Sequence, residues 1–270
     1  MIPIEQQLYN AAADGRASEV SSLLRDHIGI NVNWIHNTLQ MAPLHAASFY
    51  NQAEVVKVLV AHPTINVNIK SDIGHTPFSL GCRRGHVSVV RLLLKDPRVD
   101  ITLEDPRGCT PLWYAAYYGE HEVIEWLIAS GKDIGIENKK GKAFGQDYTV
   151  LEIARERGKT EVMSLLERFI ADPALIRHEL RVKLGMLDEL AAEVFVLTVF
   201  LCDGLLQLKP ASHPAAAATR FFAIASKLPM ELQMILCHRA VGSMKQNILR
   251  KNSEAAFQSL ARILLSLQPK

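Results

Sequence analysis

Three short strings recur along this chain at a nearly constant interval: Ala42-Pro43-Leu44-His45-Ala46-Ala47, Thr76-Pro77-Phe78-Ser79-Leu80-Gly81 and Thr110-Pro111-Leu112-Trp113-Tyr114-Ala115-Ala116. Pro43, Pro77 and Pro111 stand 34 residues apart in both steps. A period in this range marks a stack of supersecondary units, each able to bury its apolar face only against its neighbours. Such an array displays a surface rather than enclosing a reaction, so binding is the first expectation.

Each unit carries the same local signals. Thr before Pro reads as a helix cap, and Pro suits the first turn because its missing N–H would be unpaired there anyway. A short helix then leads to a Gly-like turn, followed by a second helix with apolar residues at helical spacing. Gly85-His86 precedes Val87, Val89, Val90, Leu92, Leu93 and Leu94, and Gly119-Glu120-His121 precedes Val123, Ile124, Trp126, Leu127 and Ile128. Asn51 stands at the glycine position of the earlier unit, and Asn also tolerates a left-handed backbone. Small residues at Ala47, Gly81 and Ala115 let neighbouring helices approach closely.

This pattern resembles the ankyrin repeat, whose TPLHxA signature and two-helix-plus-turn unit match these positions. Two weaker copies extend it. Leu8-Tyr9-Asn10-Ala11-Ala12-Ala13-Asp14-Gly15, with Val20, Leu23 and Leu24, looks like an N-terminal capping repeat. Thr149-Val150-Leu151-Glu152-Ile153-Ala154 and Gly158, with Val162, Leu165 and Leu166, look like a fifth. The resemblance therefore implies five repeats, over roughly 4–35, 36–69, 70–103, 104–137 and 138–170. The expected fold is all-α: an ankyrin-repeat solenoid with finger turns, followed by a C-terminal helical bundle.

Departures from the family pattern carry information of their own. Its histidine after Leu, which usually makes structural hydrogen bonds to the neighbouring turn, survives only as His45. Ser79, Trp113 and Glu152 replace it, so the later turns must be held differently. The step from Thr110 to Thr149 is 39 residues, with the extra length between Lys139 and Tyr148. That stretch reads either as a tolerated surface excursion or, given its basic run and two aromatics, as a contact loop.

The resemblance implies that partners dock on the concave side, made by the finger tips and the exposed positions of each first helix. The residues just before each turn are Phe49-Tyr50, Arg83-Arg84, Tyr117-Tyr118 and Glu156-Arg157, with Tyr114 one turn earlier. Tyr and Arg are enriched in interface hot spots, so Phe49, Tyr50, Arg83, Arg84, Arg107, Tyr114, Tyr117, Tyr118 and Arg157 are the partner-binding candidates. The competing reading has Phe49 and one tyrosine of the pair sealing the seam between repeats. Trp34, His36, Asp72, His75 and Glu104 are further finger-tip candidates. The implied partner is a protein or peptide, and an acidic or amphipathic segment would suit Arg83 and Arg84.

Past Ile170 the repeat signature stops. Helical periodicity runs through about 173–184, 188–208, 215–227, 230–249 and 254–267, interrupted near Gly185, Lys209-Pro210, Leu228-Pro229 and Lys251-Asn252-Ser253. The stretch from Asp188 to Leu208 is apolar on nearly every side, as at the centre of a bundle. Residues 171–270 thus read as a helical domain packed on or near the last repeat, and its apolar faces allow self-association. Leu228-Pro229-Met230-Glu231-Leu232-Gln233-Met234-Ile235-Leu236 is similar to the opening helix of an F-box. That similarity implies an alternative role as a ubiquitin-ligase adaptor. The same string is also an amphipathic helix with Pro at its first position.

Chemistry finds little support. His121-Glu122-Val123-Ile124-Glu125 falls one imidazole short of the HExxH zinc motif. Cys237 and His238 are adjacent on a helix, so their side chains diverge by about 100°. No phosphate-cradling Gly loop, GxSxG elbow or calcium loop occurs,. The expectation is a non-enzymatic scaffold with no metal or cofactor. A net charge of +2 gives no bulk reason for nucleic acid or an anionic membrane as partner,. Cys82, Cys109, Cys202 and Cys237 are dispersed, as reduced thiols are in an intracellular protein,. No signal-peptide pattern opens the sequence, and the longest apolar run falls short of the roughly 20 residues of a membrane span. The reading is a cytoplasmic protein, with the nucleus left open.

Overall fold

The computed structural model describes residues 2–136, 139–202, 216–225, 227–242, 248–249, 252–256, 258 and 260. The chain divides into two compact units, residues 1–180 and 181–270.

The first unit is a row of helix pairs: α1 (Ile4–Ala13) with α2 (Ala17–Asp26), α3 (Pro43–Phe49) with α4 (Ala53–Val60), and α5 (Pro77–Arg83) with α6 (Val87–Lys95). They continue as α7 (Pro111–Tyr118) with α8 (His121–Ser130), and α9 (Val150–Glu156) with α10 (Thr160–Ala171). First helices stack on first helices and second on second, so every pair contacts the next. The core follows that stacking. Leu44, Phe78 and Leu112 are buried on the first helices, with Val56 and Leu59, Val90 and Leu93, and Ile124 and Leu127 on the second. The short helices α3 and α5 are too short to persist alone and exist because their neighbours cover them.

The caps explain where each first helix begins. Thr76 Oγ1 accepts from Ser79 N at 3.1 Å, and Thr110 Oγ1 from Trp113 N at 3.1 Å. Thr149 N donates to Glu152 Oε2 at 2.8 Å, closing a capping box,. Asn51 adopts φ 59°, the left-handed turn expected of its position.

The replaced histidine is compensated in a way the sequence did not disclose. His45 bridges two repeats: its Nδ1 accepts from Ala42 N at 3.1 Å and its Nε2 donates to the His75 carbonyl at 2.9 Å. Trp113 Nε1 donates to the Tyr148 carbonyl at 3.0 Å, and Tyr148, like His75, immediately precedes the next capping Thr. The indole thus takes over the inter-repeat bond, while Ser79 and Glu152 take over only the local cap. Side-chain amides add a second bridge along the other edge. Asn33 spans to Thr64 O and Asn66 N, and Asn68 spans to Arg98 O and Asp100 N.

The lengthened loop before the fifth repeat is a β-hairpin. Strand β1 (Gly141–Ala143) pairs antiparallel with β2 (Gln146–Tyr148), and Ala143 stands opposite Gln146 across Phe144-Gly145. Both turn residues are left-handed, with φ 51° and 78°, the requirement of a tight type I′ connection,. Lys142 N donates to Arg107 O at 2.9 Å, tying β1 to the preceding finger. Gly141 allows the approach, since a Cβ there would lie 2.8 Å from Cys109 Sγ and 2.9 Å from Trp113 Nε1. After α10 the first unit takes in helix α11 (Pro173–Lys183) as far as Leu180, past the end of the repeat signature, with Ile176 and Leu180 buried.

In the second unit, α12 (Met186–Cys202) packs against α13 (Ala216–Ala225) and α14 (Met230–Ala240). Glu193 is the one exposed side chain among residues 186–201, which is what an all-round apolar helix requires of its neighbours. Helix α14 buries Gln233, Cys237 and His238, and Gln233 Nε2 donates to Leu228 O at 2.8 Å. The break expected at Lys209-Pro210, the end of the 188–208 helix and most of the 254–267 helix lie outside the described residues.

Candidate partner-binding face

The ends of the first helices bring the expected side chains into a row. Tyr50, Arg84, Tyr118 and Arg157 are exposed, and Phe49, Arg83 and Tyr117 are half-buried. All but Tyr50 share one construction, a guanidinium lying over an aromatic ring. The Arg84 guanidinium carbon sits 4.1 Å from the Phe49 centroid, that of Arg83 5.4 Å from Tyr118, and that of Arg157 4.7 Å from Tyr117. Arg83 is oriented further by hydrogen bonds, Nε to Tyr118 Oη at 3.2 Å and Nη1 to His75 Nε2 at 3.1 Å.

The arrangement leaves charge uncompensated. Several other arginines in the unit meet carboxylates: Arg98 with Asp96, Arg16 with Glu19, Arg168 with Glu179. Among the described residues, no carboxylate lies within ion-pair distance of Arg83, Arg84, Lys142 or Arg157. A guanidinium stacked on a ring keeps its in-plane N–H groups available, so these side chains are held and still able to donate.

Beneath the row lies a small buried network. The Asp105 carboxylate accepts from Tyr114 Oη at 2.7 Å, from the backbone N–H groups of Arg107 and Cys109 at 2.9 Å, and from Arg107 Nε at 3.3 Å. Burial alone would raise its pKa, but these donors outweigh burial and hold the carboxyl below its ordinary range. Burial, together with the hydrogen bond to Asp105, pushes the Tyr114 phenol upward. Burial, reinforced by the Arg83 charge, lowers His75 to about 4, which keeps its ring neutral. Cys109 is pushed up to about 11 by burial, so it is a packed thiol rather than a nucleophile.

Two expectations are corrected here. Tyr114 is only 3% exposed, its hydroxyl consumed by Asp105 and Arg107, so it supports the face instead of forming its outer surface. His75 is likewise buried, with its ring edge-to-face on Tyr114 at 4.9 Å. Glu104 is engaged by Lys139 at 2.9 Å. Arg107 is exposed and pairs with Asp105. Trp34 and His36 form a half-buried ring cluster with Tyr9, and Asp72 is exposed.

The candidates did not include Trp113, Lys142 or Phe144, although the basic and aromatic content of the loop pointed toward Lys142 and Phe144. A cleft of about 250 Å³ opens between the α5 and α7 ends and the hairpin, walled by Arg83, Arg107, Tyr117, Tyr118, Lys142 and Phe144. Trp113 stacks on Tyr117 (5.3 Å, 25°), and Tyr117 on Phe144 (6.3 Å, 22°).

For catalysis or metal binding the side chains offer little. His121 Nδ1 lies 3.5 Å from the buried Glu125, an i,i+4 pair on one helix. Among the described residues no cluster of three His, Cys, Asp or Glu could hold a metal ion. No helix among them is long and apolar enough to cross a membrane. A family model of the ankyrin repeat matches residues 40–72, and one described as ankyrin repeats in three copies matches residues 64–138.

Proposed function

We propose that this chain, an ankyrin-repeat protein by residues 40–138, is a non-enzymatic scaffold that binds an acidic protein or peptide segment across the ends of α3, α5, α7 and α9. The repeat is a protein–protein interaction module, and the partner's chemistry is what this chain's own residues add. The observation that carries the reading is the row of guanidinium groups over aromatic rings, none of Arg83, Arg84 or Arg157 having a carboxylate of its own among the described residues. Such arginines are already ordered, so a partner carboxylate engages them with little further loss of side-chain freedom. The stacked rings supply apolar area between the charges, the composition of a binding hot spot.

Affinity capture from native cells with wild-type protein and the double variant Arg84→Glu, Tyr118→Ala tests this. Arg84→Glu reverses one charge, and Tyr118→Ala releases Arg83 from its hydrogen-bonded position. The variant should lose partners that the wild type retains. Intact capture of every partner would sink the reading.

A second reading gives the C-terminal unit a ubiquitin-ligase adaptor role through residues 228–236. It is favoured by Leu232, 48% exposed on the side of α14 opposite the buried Gln233 and Cys237, and by Met230, 60% exposed at that helix's first residue,. Full-length protein should then co-purify ligase components, and Met230→Asp with Leu232→Asp should abolish this. Equal recovery with both forms would refute it.

A further inference from the structure

The hairpin adds something to the face that the repeats alone do not contain. Trp113, Tyr117 and Phe144 form a continuous stack whose successive rings are inclined by only 25° and 22°. Its inner end is anchored, because Trp113 is buried and bonded to Tyr148 O. Its outer end is Phe144, 62% exposed. The Arg157 guanidinium lies beside the stack, 4.7 Å from the Tyr117 centroid and 5.9 Å from that of Phe144. Lys142 and Arg83 line the same cleft as Tyr117 and Phe144.

Phe144 is also placed against local preference. A φ of 51° at the first residue of a tight hairpin turn suits Asn, Asp or Gly, and a bulky aromatic there is an outlier,. Neither hairpin closure nor core packing explains an exposed ring in that position. Strain of this kind is characteristic of functional sites.

We infer that the hairpin tip and the adjoining cleft form a two-part recognition site for one acidic peptide segment. Carboxylates of the segment engage Arg83, Lys142 and Arg157, and an aromatic side chain next to them adds a fourth ring to the stack on the open face of Phe144. This rests on the acidic-partner reading above and sharpens it. The repeats supply the affinity for carboxylates, and the insertion sets the requirement for an aromatic neighbour. Ring-on-ring contact between flat groups is favoured where one is already held rigid, as Phe144 is by Tyr117 and a two-residue turn.

Full-length protein is titrated with fluorescein-labelled synthetic peptides, followed by anisotropy. One is an acidic peptide with a central tryptophan, one the same peptide with alanine instead, and one a basic peptide with the tryptophan. A single-stranded oligothymidylate serves as the remaining probe, since stacked rings among cations also suit nucleic acid. The acidic tryptophan peptide should bind about tenfold tighter than its alanine counterpart, in the range of an aromatic anchor. Phe144→Asn suits the left-handed turn and so preserves the hairpin. It should abolish that preference, so that the two acidic peptides bind the variant equally. Equal binding of the two acidic peptides to wild type, or a preference that survives Phe144→Asn, overturns the inference and leaves the acidic-partner reading standing. Failure of wild type to bind either acidic peptide, or stronger binding of the basic peptide or the oligonucleotide, overturns both.

Discussion

Tyr114→Phe tests whether the buried network under the face holds the finger of the fourth repeat to its first helix. The substitution deletes one oxygen and leaves the ring packing against His75 and Trp113 in place. What disappears is the 2.7 Å donation to Asp105 Oδ2 and an acceptor for Arg107. Asp105 is 2% exposed at its side chain, so water cannot replace the lost donor. A hydrogen bond to a charged group is worth about 1.5–3 kcal/mol. Asp105 keeps two backbone donors and Arg107 Nε, so the charge is not orphaned and the expected loss is about 2 kcal/mol. The pH dependence sharpens the test. The Asp105 pKa is depressed in the folded state, so its stabilisation is present above the unfolded carboxylate pKa and is lost as pH falls through the folded value. Part of that depression comes from Tyr114. The gap between wild type and variant should therefore be full from neutral pH down to about pH 4 and narrow below it, as pH falls through the depressed folded value. Urea unfolding followed by far-UV circular dichroism measures it at each pH. A neutral-pH gap below about 0.5 kcal/mol, the scale of ordinary surface changes, would refute the argument, and so would a gap that does not narrow in acid.

Two further perturbations bear on the inter-repeat bridges. His45 and His75 are both held to about 4, chiefly by burial, so both stay neutral in the folded state while the unfolded chain takes up protons below about 6.5. Their contribution is complete above that pH and is lost as pH falls toward 4. The urea midpoint should accordingly drop between pH 7 and 5, and His75→Phe should flatten part of the slope, whereas a wild-type midpoint that does not move over this range contradicts the assignment. Gly141→Val should press the hairpin away from Cys109 Sγ and Trp113 at a cost of about 1–3 kcal/mol for overpacking. Hydrogen exchange should then accelerate at residues 141–148, and unchanged protection would show that the close approach is not required.

Much of the repeat architecture was legible because its causes are local. A capping Thr, Pro in the first turn, a left-handed Asn or Gly and apolar residues at helical spacing act within one unit, and repetition multiplied the signal. The candidate face was legible at the level of position. Phe49, Tyr50, Arg83, Arg84, Tyr117, Tyr118 and Arg157 do stand in a row, because each occupies the same place in its unit. Exposure was less legible. Tyr114 and His75 were expected at the surface, yet a neighbouring repeat covers both, and periodicity within one unit does not report what the next unit covers. Trp113 is a related case. As a departure from histidine it looked like a lost bridge, but its indole N–H reaches the same carbonyl position from a longer side chain.

The sequence by itself determined the repeating unit and the side chains each repeat places before its turn, since these follow from spacing, backbone preference and capping over a few residues. Tertiary structure alone decided which of those side chains remain available. The stacking of Arg83, Arg84 and Arg157 on rings and the alignment of Trp113, Tyr117 and Phe144 join residues as much as 40 positions apart. Those contacts exist only when successive repeats are stacked and a hairpin closes beside them. Long-range geometry of this kind leaves no periodic mark in the chain, and for that reason the most distinctive part of the face lies in an insertion that the repeat pattern registers only as extra length.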